Sequence, residues 1–204
     1  MANFGTIGLS IAFGMGIYSV AAFFLFNSNR GLKYLLSAKN AVYGTALFTT
    51  ISVLAMLYAL ITGDFSIEYV TQYTSQDLPT IYKLTALWAG NAGSLLFWAW
   101  ILVLLAALVT VSKENREYIP YASPIMMVVS VFFLFMLNFV SQPFVQLLNP
   151  PPDGMGMNPM LQNPGMVIHP VTLYLGYVGF TVPFAFAMAA LIRKNPGDQW
   201  IKLT

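Results

Sequence analysis

His169 is the one imidazole in a chain of 204 residues that has no cysteine. A single histidine supplies one nitrogen ligand, or one base that works near neutral pH. An isolated histidine at a membrane boundary also has an ordinary reading, as a hydrogen-bonded residue with its polar tip in the headgroup layer. The neighbours of His169 favour a fixed imidazole: Pro170 restrains the backbone directly after it, and Pro164 and Gly165 shape the turn before it. The lack of cysteine removes a disulfide framework, a thiolate zinc site, a redox CxxC motif and covalent attachment of haem to this chain.

Two further groups of residues could carry chemistry. Met155, Met157 and Met160, with Met166 nearby, form a thioether-rich loop that could hold copper(I). They are equally suited to filling apolar gaps in an interfacial loop, and no second histidine or cysteine stands beside them. The run WAGNAGSLLFW, Trp88 to Trp98, sets Gly90, Gly93 and Ser94 at helical spacing. Small residues so placed admit the close approach of a neighbouring helix, or of a flat apolar ligand. The tryptophans could stack on a porphyrin plane, and spacing alone leaves these alternatives open.

The elements that must position these residues are membrane spans. The chain is 58% hydrophobic and 8% charged, far from the soluble average of about 25% charged. Apolar stretches of roughly the 20 residues that cross a bilayer cover about 6–26, 41–62, 94–111, 122–140 and 171–192. They predict an all-α integral membrane protein, a single transmembrane domain of about five helices. None of these spans contains Asp, Glu or His, which disfavours an ion-coupled transporter or proton pump, since such proteins keep an ionisable group at membrane depth. Any chemistry is expected in the loops.

Arg30, Lys33 and Lys39 lie between spans one and two, Lys113 and Arg116 between three and four, and Arg193, Lys194 and Lys202 after span five. The positive-inside rule makes these segments cytoplasmic. The opposite segments, about 63–93 and 141–170, contain Lys83 as their only Lys or Arg, so the N-terminus is expected outside and the C-terminus inside. No Lys or Arg precedes the first span, which is not the pattern of a cleavable signal peptide. Phe23, Phe24, Tyr58, Tyr118, Tyr121 and Trp200 lie near span ends, where aromatic rings favour the headgroup region. Phe65, Ile67 and Tyr69 alternate at the start of the first outer loop and predict a short extended or interfacial piece. The second outer loop carries Pro143, Pro150, Pro151, Pro152, Pro159, Pro164 and Pro170, with Asn before three of them, and is expected to be a series of fixed turns and extended pieces ending at His169.

The stretch PPPDGMGMNPMLQNPGMVIHPVTLYLGYVGFTVPFAFAMAALI, from Pro150, resembles the N-terminal part of the CcmF-type cytochrome c haem lyases, a family that includes NrfE and CcsA proteins. There a PPDG, an NPLLQ-like piece and PGMVIHP lead into a YLGYVGF helix. Upstream, LPTIYKLTALWAGNAGSLLFW is similar to that family's LPxxYK followed by W-x-G-x-x-G-S-L. The two blocks together tie most of residues 64–192 to the family.

The resemblance implies a role in cytochrome c maturation on the outer face of the membrane, where haem delivered by a haem chaperone is joined to the CxxCH thiols of an apocytochrome c. The histidine of PGMVIHP is in that family the first of two outer histidines proposed to ligate the haem, and His169 matches it. Pro164, Gly165 and Pro170, with Trp88, Gly90 and Gly93, would support the haem loop without reacting. The family continues with a tryptophan-rich outer loop, a second outer histidine and an internal b-type haem, none of which lies in these residues. The expectation is therefore an N-terminal subunit or fragment that holds haem transiently, shared with the remaining C-terminal part of a CcmF-like lyase, and that does not act as a complete lyase alone. Its expected location is the inner (plasma) membrane, with an organellar inner membrane as the alternative, and its surroundings are lipid, with no nucleic-acid partner. Competing expectations are a scaffold that docks the haem chaperone or the apocytochrome, and a copper-handling protein built on the Met loop.

Overall fold

The computed structural model describes residues 1–29, 31–112 and 117–194. Arg30, Lys113, Arg116, Trp200 and Lys202 lie outside the described residues. Helices α1 (Ala2–Asn29) and α2 (Leu32–Thr62) form an antiparallel pair. Gly5, Gly8, Ala12, Gly16 and Ser19 make a buried stripe on α1 at spacings of three and four, which lets the backbones close together. Ser52 Oγ of α2 reaches the carbonyl of Gly5 at 3.0 Å, and a Cβ on Gly8 would collide with that hydroxyl. The turn of α2 ends at Gly63 in the left-handed conformation (φ 68°), a backbone state that glycine adopts without a side-chain penalty.

Helices α3 (Glu68–Tyr73) and α4 (Thr80–Thr85) and a 3₁₀ turn at Ala86–Trp88 then lead into α5 (Asn91–Val111), which is followed by α6 (Ile119–Phe139). α1, α2, α5 and α6 pack in a ring, each against the next. Trp100 Nε1 of α5 donates to Thr50 Oγ1 of α2 at 2.9 Å, and Thr110 and Ser123 share a buried hydroxyl contact of 3.2 Å between α5 and α6. Pro124 inside α6 cannot donate to the carbonyl of Pro120, and Asn27 Nδ2 of α1 takes that carbonyl at 2.9 Å. The last span is α7 (Pro164–Gly179) and α8 (Thr181–Arg193), set outside the ring with α7 against α5 and α8 against α6.

Five helical segments are long and apolar enough to cross a membrane, and the described residues contain no strand, only a single antiparallel bridge between Ile67 and Gln146. This is an all-α, multi-pass membrane protein. The Met1 amino group lies 3.7 Å from Asp64, so the N-terminus sits at the same end of the bundle as the 63–93 and 141–163 segments. Phe23 and Tyr118, expected among headgroups, are buried inside the protein. Tyr118 lies under Arg193, whose guanidinium carbon is 4.8 Å from the ring centroid and which also bonds Glu117 at 2.9 Å.

Candidate functional site

The two loops at the N-terminal end of the bundle are zipped together, and this decides where His169 stands. Phe65, Ile67 and Tyr69, expected in a short extended or interfacial piece, are each buried in the core. Helix α3 takes over directly after Ile67, where the chain pairs with the second loop: Glu68 N donates to Val145 O at 2.9 Å and Leu147 N to Ser66 O at 2.9 Å. Past the proline run, Asp153 Oδ1 accepts from Gln76 N at 2.8 Å, Met155 N donates to Thr71 O at 2.7 Å, and Gly156 N donates to Thr74 O at 3.0 Å. A Cβ on Gly154 would strike the Thr74 carbonyl. The PPDGMG segment thus serves as a clamp on the C-terminal end of α3, satisfying carbonyls that a short helix leaves open.

Each Asn-Pro pair that follows starts a helix rather than a simple turn. Asn158 Oδ1 accepts from Met160 N at 3.0 Å over a 3₁₀ turn, and Asn163 Oδ1 accepts from Met166 N at 3.1 Å with Pro164 at the first helical position. Helix α7 therefore begins at Pro164, and not at about residue 171 as hydropathy predicts. His169, expected at the end of a loop, lies on the second turn of α7, with Pro170 inside the helix. Pro170 does not end the helix. An interior proline removes the N–H that would bond the carbonyl four residues back, which here belongs to Met166. That carbonyl accepts instead from Trp88 Nε1 at 3.1 Å.

Trp88 is itself held from below. Tyr69 is buried in α3, its hydroxyl donates to Ala86 O at 2.8 Å and accepts from Gly90 N at 3.1 Å, and so it grips both sides of the 3₁₀ turn. Burial pushes that hydroxyl well above the usual tyrosine range. Ser94 Oγ donates to Trp88 O at 3.1 Å, and the Trp88 ring lies 5.3 Å from Phe97. Gly90 and Gly93 make room for this arrangement: a Cβ on Gly90 would enter the Tyr73 ring, and one on Gly93 would meet the Leu87 carbonyl and the Tyr69 hydroxyl. The close approach anticipated from their spacing is made by two tyrosines of the short helix α3.

Along α7 and its cap residue Phe180, residues 169, 173, 176 and 180 recur at intervals of four, three and four and so share one face. His169, Leu173, Gly176 and Phe180 are all exposed, and a Cβ on Gly176 would meet nothing within 4 Å. The imidazole thus stands at one end of a stripe that this chain leaves uncovered. The opposite side of α7 contributes Val171 and Leu175 to an apolar groove of about 500 Å³ against Trp88, Phe97, Trp100 and Leu104 of the α5 region. Both indole N–H groups beside this groove already have partners, Met166 O and Thr50 Oγ1. The Met loop is dispersed: Met157 is buried in the core, whereas Met155 and Met160 are each 82% exposed.

A family model described as "Cytochrome C assembly protein" matches residues 88–202, which begins at Trp88 and includes all of α7. The chain belongs to the cytochrome c assembly protein family. Among its relatives, the cytochrome c-type biogenesis protein CcmF of Haemophilus influenzae is 33% identical over 99% of this chain and 32% of its own length. CcmF of Pseudomonas fluorescens is 38% identical over 81% of this chain and 26% of its own length. The NrfE protein of Haemophilus influenzae is 37% identical over 77% of this chain and 25% of its own length. A solved structure, "Cytochrome c Heme Lyase CcmF", superposes with a TM-score of 0.83 at 26% identity, covering 98% of this chain and 32% of that one. The assembly-family chain spans about a third or less of the length of these relatives. The likeness is to cytochrome c biogenesis proteins and to a haem lyase, and favours neither copper handling nor a scaffold that only docks the haem chaperone or the apocytochrome.

Proposed function

We propose that this chain is the N-terminal portion of a CcmF-like haem lyase, with His169 as one axial ligand to haem presented for covalent attachment to apocytochrome c. The observation that carries this reading is the uncovered stripe on α7, with an exposed imidazole at its end and Gly176 offering a flat approach below it. Neutral imidazole is a standard axial ligand to haem iron, and a ligand on a helix is held at a set depth and angle. Pro164, Gly165 and Pro170 shape the helix start, and Trp88, Gly90 and Gly93 the platform beneath it, so all six act as supports. One histidine completes half of a bis-ligated site. The remaining two thirds of a lyase, whether on the same polypeptide or another, supplies the second ligand and covers the stripe.

In this reading the His169 end faces the outer or periplasmic side of an inner membrane, in keeping with the scarcity of Lys and Arg in 63–93 and 141–170. A haem chaperone delivers the haem and the apocytochrome c thiols consume it there. The test is H169A in cells that depend on this chain. Covalently haem-stained c-type cytochrome is expected to disappear while the variant remains in the membrane at normal abundance. Normal haem attachment in H169A would remove His169 from the chemistry.

A further inference from the structure

We infer that Trp88 is a positioning residue for His169, acting through the carbonyl of Met166 that Pro170 leaves without its helical donor. The inference rests on the axial-ligand reading for its functional meaning, but its structural half stands alone. His169 lies between the two ends of the disrupted turn, three residues after Met166 and one before Pro170. A proline inside a helix deletes the i to i−4 bond and crowds the carbonyl it would have met. The freed carbonyl belongs to a half-buried residue and needs another donor. The replacement is supplied across 78 residues of sequence by the Trp88 indole N–H, 3.1 Å from Met166 O.

The donor is rigid. Trp88 sits in a 3₁₀ turn whose carbonyls and following N–H are held by the buried Tyr69 hydroxyl, and its own carbonyl is held by Ser94. The turn carrying His169 is thereby tied to the platform formed by α3 and the start of α5. The same device occurs elsewhere in the fold, where Pro124 frees the carbonyl of Pro120 and Asn27 of α1 occupies it. At Pro124 the linkage joins two ring helices. At Pro170 it fixes the one turn that bears an imidazole. A proline here makes the orientation of His169 depend on α5 instead of on α7 alone.

The mechanism predicts a specific coupling. In P170A the backbone regains an N–H for the Met166 carbonyl, so the indole donor becomes redundant. W88F should therefore matter in the native background and not in P170A. Because His169 is the only histidine, histidine labelled with carbon-13 at Cε1 alone gives one NMR resonance in the full chain purified in nanodiscs with a histidine-free tag. One narrow resonance is expected for the native chain, a broadened or split one for W88F, and a narrow one again for W88F/P170A. Titration with haemin should give a Soret shift whose midpoint is about tenfold weaker in W88F and within twofold of its parent in W88F/P170A, since a hydrogen bond of this kind is worth about a factor of ten.

W100F serves as a control, because it removes an indole bond to Thr50 beside the same groove and no hydrogen bond to α7; it should leave the histidine resonance unchanged. A narrow, native-like resonance in W88F would overturn the inference, as would equal disturbance of W88F in both backgrounds or failure of W88F to fold in both. If the resonances couple as expected but no variant, the native chain included, shifts the Soret band, the positioning holds and the axial-ligand reading fails.

Discussion

Tyr69 shows how much of the site depends on a residue with no direct claim to chemistry. Its hydroxyl is buried, bonds the carbonyl of Ala86 and receives the N–H of Gly90, and thereby closes the turn that presents Trp88. Y69F removes the donor for Ala86 O and the acceptor for Gly90 N while keeping the ring. A cost of about 1–3 kcal/mol is expected in the detergent-solubilised protein, from buried partners left unpaired. Burial also raises the hydroxyl above its unfolded value of about 10. Above that pH the unfolded chain releases a proton that the folded chain keeps, so the stabilisation from this group is complete below about pH 10 and declines as pH rises through the folded value. Thermal melts should therefore show a Y69F penalty that is largest near neutral pH and shrinks in strong alkali. A penalty that grows with alkalinity would mean that the hydroxyl is not the buried neutral donor described.

Among the elements, α7 differs from the ring helices. Val178 is its only fully buried residue, whereas α1, α2, α5 and α6 each bury nine or more. Its glycines differ accordingly from those at the start of α5. A Cβ at Gly93 would collide with a carbonyl and a hydroxyl of the platform, so G93A is expected to destabilise the chain by about 1–3 kcal/mol, the usual cost of overpacking. A side chain at Gly176 meets open space within this chain, so G176L should melt like the native protein. If haem or the rest of a lyase covers the stripe, however, G176L should abolish cytochrome c assembly. Normal assembly in G176L would show that the stripe faces only lipid.

At the scale of the whole molecule, four spans close into a ring while the fifth hangs outside it, held by α5 at one end and by α6 at the other. The chain matches about a third of a solved haem lyase over nearly its full length. The described residues make a scaffold and a clamp between two loops and carry one imidazole, with no second imidazole beside it. Expressed alone in a strain lacking CcmF, the chain is expected to leave c-type cytochromes without haem. Supplying the remaining two thirds of Haemophilus influenzae CcmF in trans should restore haem staining. Attachment by the chain alone would refute the shared site.

Local signals carried the number of spans, because an apolar run of about 20 residues declares itself without reference to any partner. They also carried the isolation of His169 and, through two contiguous blocks, the family. Local signals misjudged the start of α7. Asn163-Pro164 is a helix-start signature, but Pro170 seven residues after Asn163 reads as a stop, and the donor that lets the helix run through it sits at Trp88, far away in sequence. Only the tertiary structure could decide this, since a hydrogen bond between residues 88 and 166 leaves no periodicity in either segment. The same holds for Gly90 and Gly93, whose spacing announced a close approach while the identity of the approaching group, Tyr73 and Tyr69, depended on how the 63–93 segment folds back. His169 was legible as a residue from the start, and the helix on which it stands and the indole that steadies that helix came from packing.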